Sequence, residues 1–250
     1  MKKYALIGYT GLVGSHLINF FDKEKTDFYN SKNIHEIENR RYDIVINAGV
    51  SGTKWFVNKY PEKDIESINK LLLHLDNAKI SKMIHISTID VYNNPDENTR
   101  EYTLPNALHC YGYHRTQLEY AMKVYYSDCN IVRLPGLFGK GLKKNPIFDL
   151  IHNHEVEQLY EDNTYQWYDL SDLNHSLKTV IRKNIPLIQL STIPISNKLL
   201  VEEVFPEHIE KLQIGYSQNP YLFGSIYGNK PIITKEIILE KIRKFKNEAC

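Results

Sequence analysis

The chain has 250 residues, enough to bury one good core and a small second lobe. Hydrophobic residues make up 42% and charged residues 24%, the balance of a soluble globular protein rather than a disordered one. A formal net charge of +1 without a basic block argues against nucleic acid or an anionic membrane as the main partner.

Taken in chain order, Met1-Lys2-Lys3 leads into a short apolar run that begins like an export signal. The run stops at glycine after about five residues, too short for export or for a membrane segment. Cys110, Cys129 and Cys250 are odd in number and far apart, with neither metal-ligand spacing nor a disulfide framework. A reducing cytoplasm is the plain expectation. Near-continuous apolar runs predict strands at Tyr4–Gly8, Phe28–Asn30, Asp43–Ala48, Met83–Ser87, Ile131–Leu134 and Leu187–Leu190. Helical patterns fall between them, at Ser15–Asp22, Pro61–Ala78, Tyr111–Tyr126 and Ser171–Arg182. This alternation predicts an α/β, Rossmann-type doubly wound parallel sheet. Leu142–Gln166 and Ser196–Asn229 carry scattered turn residues and short helical patches, and Thr234–Phe245 reads as a final helix capped by Thr234. The expected division is a dinucleotide-binding domain over 1–140, continued by about 165–195. Residues 141–164 and 196–250 form a small mixed C-terminal lobe that is not an independent domain.

Four segments carry chemistry. Gly8-Tyr9-Thr10-Gly11-Leu12-Val13-Gly14 breaks the first strand and opens a helix. Glycines allow a tight turn and close approach of the backbone to a pyrophosphate, and a helix start presents unpaired N–H groups to it. Asn47-Ala48-Gly49 ends a buried strand in small residues, leaving room for a ligand or simply ending the strand in a turn. Ser87-Thr88 places hydroxyls at the end of another strand, for a substrate oxygen or for local backbone groups. Tyr111 and Arg115 stand four apart on one helix and share a face. A phenol ordinarily titrates near 10. A cation about 6 Å away contributes ~3 kcal/mol toward the phenolate at an effective dielectric near 20. Arg115 is therefore expected to pull Tyr111 down. His109 and His114 read as solvent-facing, and Asp90 as a solvated carboxylate or a local cap ahead of a general acid.

The ordered set resembles the extended branch of the short-chain dehydrogenase/reductase superfamily, the NAD-dependent epimerases/dehydratases and sugar-nucleotide reductases. The resemblance runs from residue 3 to about 175. Gly8, Gly11 and Gly14 match the glycine pattern, and Asn47-Ala48-Gly49 resembles the Asn-Ala-Ala segment. Ser87-Thr88 with Val91-Tyr92 resembles the Ser-Ser/Thr…Val-Tyr segment, and Tyr111 matches the catalytic tyrosine. Arg133-Leu134-Pro135-Gly136-Leu137-Phe138-Gly139 is similar to the segment beside the nicotinamide. Tyr168-Asp169-Leu170-Ser171-Asp172-Leu173 resembles a later strand-to-helix element.

The resemblance implies an NAD(P)-dependent oxidoreductase or epimerase acting on a nucleotide-linked sugar in polysaccharide biosynthesis. Tyr111 would be the general acid/base and Thr88 would orient the reacting group. Thr10, Leu12 and Val13 would join the glycines at the pyrophosphate, with Leu134 and Pro135 at the nicotinamide. A homodimer built on Pro61–Ala78 and Tyr111–Tyr126 is also implied. One departure stands out: the family has lysine four residues after the tyrosine, and this chain has Arg115, whose planar fork cannot be assumed to hold the ribose as lysine does. The alternative is a catalytically impaired dinucleotide-binding sensor or scaffold. Asn30-Ser31-Lys32 after the second strand lacks the acid that grips an NAD ribose and favours NADP over NAD. Asp27 at that position would reverse the preference.

Overall fold

The first strand, β1 (Tyr4–Ile7), is apolar on both faces because it lies in the middle of a sheet. The structure is a computed structural model and describes residues 2–217, 222–228 and 234–249. The other strands are β2 (Thr26–Tyr29), β3 (Arg41–Asn47), β4 (Lys79–Thr88), β5 (Cys129–Leu134), β6 (Gly136–Phe138), β7 (Thr164–Asp169), β8 (Leu187–Gln189) and β9 (Pro194–Ser196). The helices are α1 (Leu12–Ser15), α2 (Lys54–Lys59), α3 (Pro61–Asp76), α4 (Cys110–Tyr125), α5 (Pro146–His152), α6 (Leu173–Lys183), α7 (Asn197–Val204) and α8 (Lys235–Ala249).

Two compact units result. The first holds residues 1–93, 104–133 and 173–188. Its sheet has six strands in the order β2-β1-β3-β4-β5-β8, the parallel, doubly wound arrangement expected from the sequence. Tyr4 pairs with Thr26 on one side and Ile44 on the other, both in parallel register. The chain leaves β1 toward β2 and later returns to β3 on β1's other side. The carboxyl ends of β1 and β3 therefore flank a topological switch point, where such sheets hold ligands. Ala5, Ile7, Val45 and Met83 from the strands pack with Ile68, Leu71, Leu75, Leu118 and Met122 from α3 and α4. Each fully buried aliphatic side chain contributes roughly 1.5–3 kcal/mol of transfer free energy.

The second unit holds residues 94–103, 134–172 and 189–250. Its sheet is β6-β7-β9, parallel between β6 and β7 and antiparallel between β7 and β9. Trp167, Phe138, Ile195, Phe205 and Ile242 form its core. Sequence patterning missed this sheet because two of its strands have only three residues, too short to show a period. Residues 218–221 and 229, inside the expected 196–229 stretch, and Cys250 lie outside the described residues.

The helix expected over Ser15–Asp22 is a correction. Only one helical turn forms, at Leu12–Ser15. Beyond it the chain continues in i→i+3 turns: Leu17 N donates to Gly14 O and Phe20 N to Leu17 O. The Ser15 hydroxyl donates to the Leu12 carbonyl at 2.8 Å, a local bond that competes with helix continuation. Phe21 stacks on Tyr4 with ring centroids 4.1 Å apart, which fixes the chain's path toward β2.

Candidate active site

Three glycines shape the turn after β1, each for a different reason. Gly8 has φ +82°, and a Cβ there would lie 2.2 Å from the Ala48 carbonyl oxygen. A Cβ at Gly14 would lie 2.0 Å from the carbonyl oxygen of Gly8, so this glycine lets α1 sit against the end of β1. Gly11 differs. Its backbone is extended, at φ −80° and ψ 169°, and a Cβ there would meet only Gly8 O at 3.4 Å. Neither conformation nor internal packing requires glycine at Gly11. No side chain caps α1. Its first N–H groups, from Leu12 and Val13, follow exposed Thr10 and Gly11, and the first N–H groups of a helix have no partner within it. The glycine turn thus fits a diphosphate through local N–H groups, without the long helix dipole the sequence suggested.

At the end of β3, Asn47 is fully buried. Its Oδ1 accepts from Gly49 N at 3.0 Å, and its Nδ2 lies 3.3 Å from His85 Nδ1. Burial pushes His85 down to about 4, so it stays neutral. Asn47 therefore holds the Ala48-Gly49 turn from inside. A Cβ on Gly49 would strike the Ile7 side chain at 2.6 Å.

At the end of β2, Asp27 pairs with Ala5 inside the strand. It accepts from the Tyr42 hydroxyl at 2.6 Å and pairs with Lys3 at 3.0 Å. Asn30 is the first residue beyond the strand. Its Oδ1 accepts from Lys32 N at 2.9 Å, and Ser31 and Lys32 are exposed. Leu134 ends β5, with Pro135 next; both belong to the second unit.

Thr88 ends β4 and Tyr111 lies in the first turn of α4. Tyr111 N donates to Asn58 Oδ1 at 2.9 Å, and His109 accepts from Gly112 N at 3.0 Å, so this helix start is capped twice. A buried network pins β4, β5 and α4 together. Ser87 donates to Glu119 at 2.6 Å, Arg133 grips Glu119 at 2.9 and 2.6 Å, and Arg133 also donates to the Tyr92 hydroxyl. Ser87 thus turns inward to a protein partner, while half-buried Thr88 stands beside the phenol.

The Arg115 guanidinium lies over the Tyr111 ring, 4.7 Å from its centroid, as i and i+4 positions require. It is 1% exposed. Nη1 and Nη2 each donate to one Asp64 oxygen at 2.9 Å, and Nη2 also donates to Ser51 O at 2.7 Å. His114 is buried, not solvent-facing, and reaches the same carboxylate at 2.8 Å. Burial opposes ionisation of Asp64, but the bonds and charge of Arg115 and His114 outweigh it and hold the carboxyl below its usual range.

Tyr111 is correspondingly not pulled down. Burial pushes the phenol up to about 12, against the opposing charge of Arg115, and Asp90 adds to the rise. Arg115 lowers the phenol, but by less than burial raises it. Asp90 is neither merely solvated nor only a cap: Oδ1 pairs with Lys54 at 2.6 Å and Oδ2 accepts from the Thr88 hydroxyl at 3.3 Å. Lys54, Ser51, Asn58 and Asp64 were not singled out from sequence. Asp64 was detectable, since positions 64, 68, 71 and 75 repeat at helical spacing and the other three are apolar. A carboxylate in a core stripe requires a buried partner.

A family model for the NAD-dependent epimerase/dehydratase family matches residues 4–183. The chain belongs to the NAD-dependent epimerase/dehydratase family. Solved structures with the same fold include MoeE5 in complex with UDP-glucose and NAD, at 13% identity and TM-score 0.78, covering 99% of this chain and 98% of that one. Another is a UDP-glucuronic acid 4-epimerase from Bacillus cereus, at 16% identity and TM-score 0.74, covering 99% and 100%. A third is a dTDP-4-dehydrorhamnose reductase from Bacillus anthracis in complex with NADP, at 17% identity and TM-score 0.73, covering both chains fully. No curated protein matches the sequence. Among the described residues, no helix is long and apolar enough to cross a membrane, and no cluster of three or more His, Cys, Asp or Glu is arranged for a metal ion.

Proposed function

We propose that this epimerase/dehydratase family member is an NAD(P)-dependent oxidoreductase or epimerase acting on a nucleotide-linked sugar. Tyr111 is its general acid/base, and Thr88 orients the reacting hydroxyl or keto group. The observation that carries the reading is the placement of Thr88 beside a buried Tyr111 in the unit whose glycine turn has a Gly11 required by nothing internal.

The turn formed by Gly8, Thr10, Gly11, Leu12, Val13 and Gly14 would hold the pyrophosphate, with Ala48 and Gly49 beside it. Hydride transfer is the chemistry a bound dinucleotide supplies. At neutral pH a phenol held near 12 is protonated, so Tyr111 is set to donate a proton to a keto oxygen. Asp27 lies inside β2 and is held by Tyr42 and Lys3. Asn30, Ser31 and Lys32 then occupy the position that meets the adenosine ribose, which supports NADP over NAD. The exposed apolar side chains Leu73 on α3 and Tyr113, Tyr120 and Val124 on α4 support a homodimer through these helices.

A second reading, a dinucleotide-binding sensor or scaffold without turnover, is favoured by one observation. The cation at the family's lysine position is buried and committed to Asp64. Turnover of nucleotide sugars with NADPH or NADH, compared between native protein and Tyr111→Phe, separates the two.

A further inference from the structure

Tyr111 is 7% exposed, and a buried acid that gives up a proton must be recharged from solvent. Lysine at the Arg115 position would be able to lose and regain protons, but arginine cannot be deprotonated in a protein. Here it is also locked on Asp64. Another polar chain does reach the surface. The Thr88 hydroxyl lies beside the phenol and donates to Asp90 Oδ2 at 3.3 Å. The Asp90 carboxylate is 22% exposed. Its other oxygen, Oδ1, is anchored 2.6 Å from Lys54 Nζ at the start of α2. The anchor orients the carboxylate so that one oxygen serves Lys54 and the other serves Thr88.

We infer that Asp90 is the solvent port through which Tyr111 is reprotonated, by way of Thr88, with Lys54 as the positioning residue. This rests on the reading of Tyr111 as the general acid. After the phenol gives its proton to the substrate oxygen, a proton from water binds Asp90. The Asp90 O–H bond then breaks toward Thr88 Oγ1 while the Thr88 O–H bond breaks toward the phenolate. One proton enters from water and one leaves to substrate, and Tyr111, Thr88 and Asp90 end as they began. The charged and titratable groups that face Asp90 include Lys54 from α2, Tyr111 from α4 and His109 just before that helix.

The test needs no substrate or cofactor. Exchange of the Tyr111 hydroxyl proton with solvent deuterium is read from the isotope shift on its Cζ carbon in ¹³C-labelled protein. The signal is assigned by its loss in Tyr111→Phe, with buried Tyr42 and Tyr126 as internal standards. Asp90→Asn and Thr88→Val should each slow Tyr111 exchange about tenfold or more while leaving the standards unchanged, and Lys54→Met should slow it less. Loosened packing accelerates exchange, so a merely structural role gives the opposite sign. Unchanged or faster exchange in both Asp90→Asn and Thr88→Val overturns the port. Absence of nucleotide-sugar turnover in native protein, with the slowed exchange intact, instead removes the proposed reaction and leaves the proton path standing.

Discussion

Arg115 grips Asp64 through two parallel N–H···O bonds of 2.9 Å, with both side chains buried between α3 and α4. The charge expected to tune the phenol is thereby also a structural clamp. Removing one partner strands the other in a medium that solvates charge poorly. Asp64→Ala or Arg115→Ala should cost about 3–5 kcal/mol of stability in denaturant unfolding. Arg115→Lys keeps the charge but loses the fork, and should lower stability by about 1–3 kcal/mol. Its dinucleotide affinity should stay within about threefold, a difference of under ~1 kcal/mol. A stable Arg115→Lys variant would show that the fork is not needed.

The same clamp sets an acid limit. The Asp64 carboxyl is lowered in the folded state from an ordinary value of 3.8. Its stabilisation is therefore fully present above that value and is lost as pH falls through the lower, folded one. Urea unfolding between pH 2 and 6 should show a steep loss below about pH 4. In Asp64→Asn, already less stable at pH 6, the part of that slope due to Asp64 should be absent.

The glycines separate folding from binding. Gly14→Ala places a Cβ 2.0 Å from a backbone oxygen and should cost about 3 kcal/mol or more. Gly11→Ala meets only an ordinary contact and should change stability by under about 0.5 kcal/mol. It should weaken dinucleotide binding tenfold or more, about 1.4 kcal/mol, by calorimetric titration. Equal stability losses in the two variants would contradict the distinction drawn between them.

Charge at the second strand's end tests cofactor choice. Lys32→Glu puts a carboxylate where the 2′-phosphate is proposed to lie, and should weaken NADP binding at least tenfold, about 1.4 kcal/mol, with little effect on NAD. Equal changes for both dinucleotides would move the ribose site elsewhere.

These contrasts mark how far the sequence could be read. Buried parallel strands are continuous apolar runs, so β1, β3, β4 and β5 were visible. The pairing of Tyr111 with Arg115 followed from helical spacing alone. What Arg115 does with its charge was not legible, because Asp64 lies 51 positions earlier in the chain and only the packing of α3 on α4 brings them together. Lys54 escaped notice for the same reason: α2 has six residues and no clear period, yet it carries an ammonium to Asp90, 36 positions on. The helix after the glycines failed in the other direction. Its pattern was helical, but the Ser15 bond to Leu12 and the stacking of Phe21 on Tyr4 prevailed over it.

The central claim is that the Tyr111 phenol moves the proton in a dinucleotide-dependent reaction of a sugar nucleotide. The most direct measurement is turnover of a nucleotide-linked keto sugar with NADPH, followed at 340 nm, in native protein and in Tyr111→Phe, alongside dinucleotide affinity. The expected result is turnover by the native protein, a fall of about 10²–10⁴-fold in Tyr111→Phe, and an unchanged dinucleotide Kd. Undiminished turnover in Tyr111→Phe would contradict it.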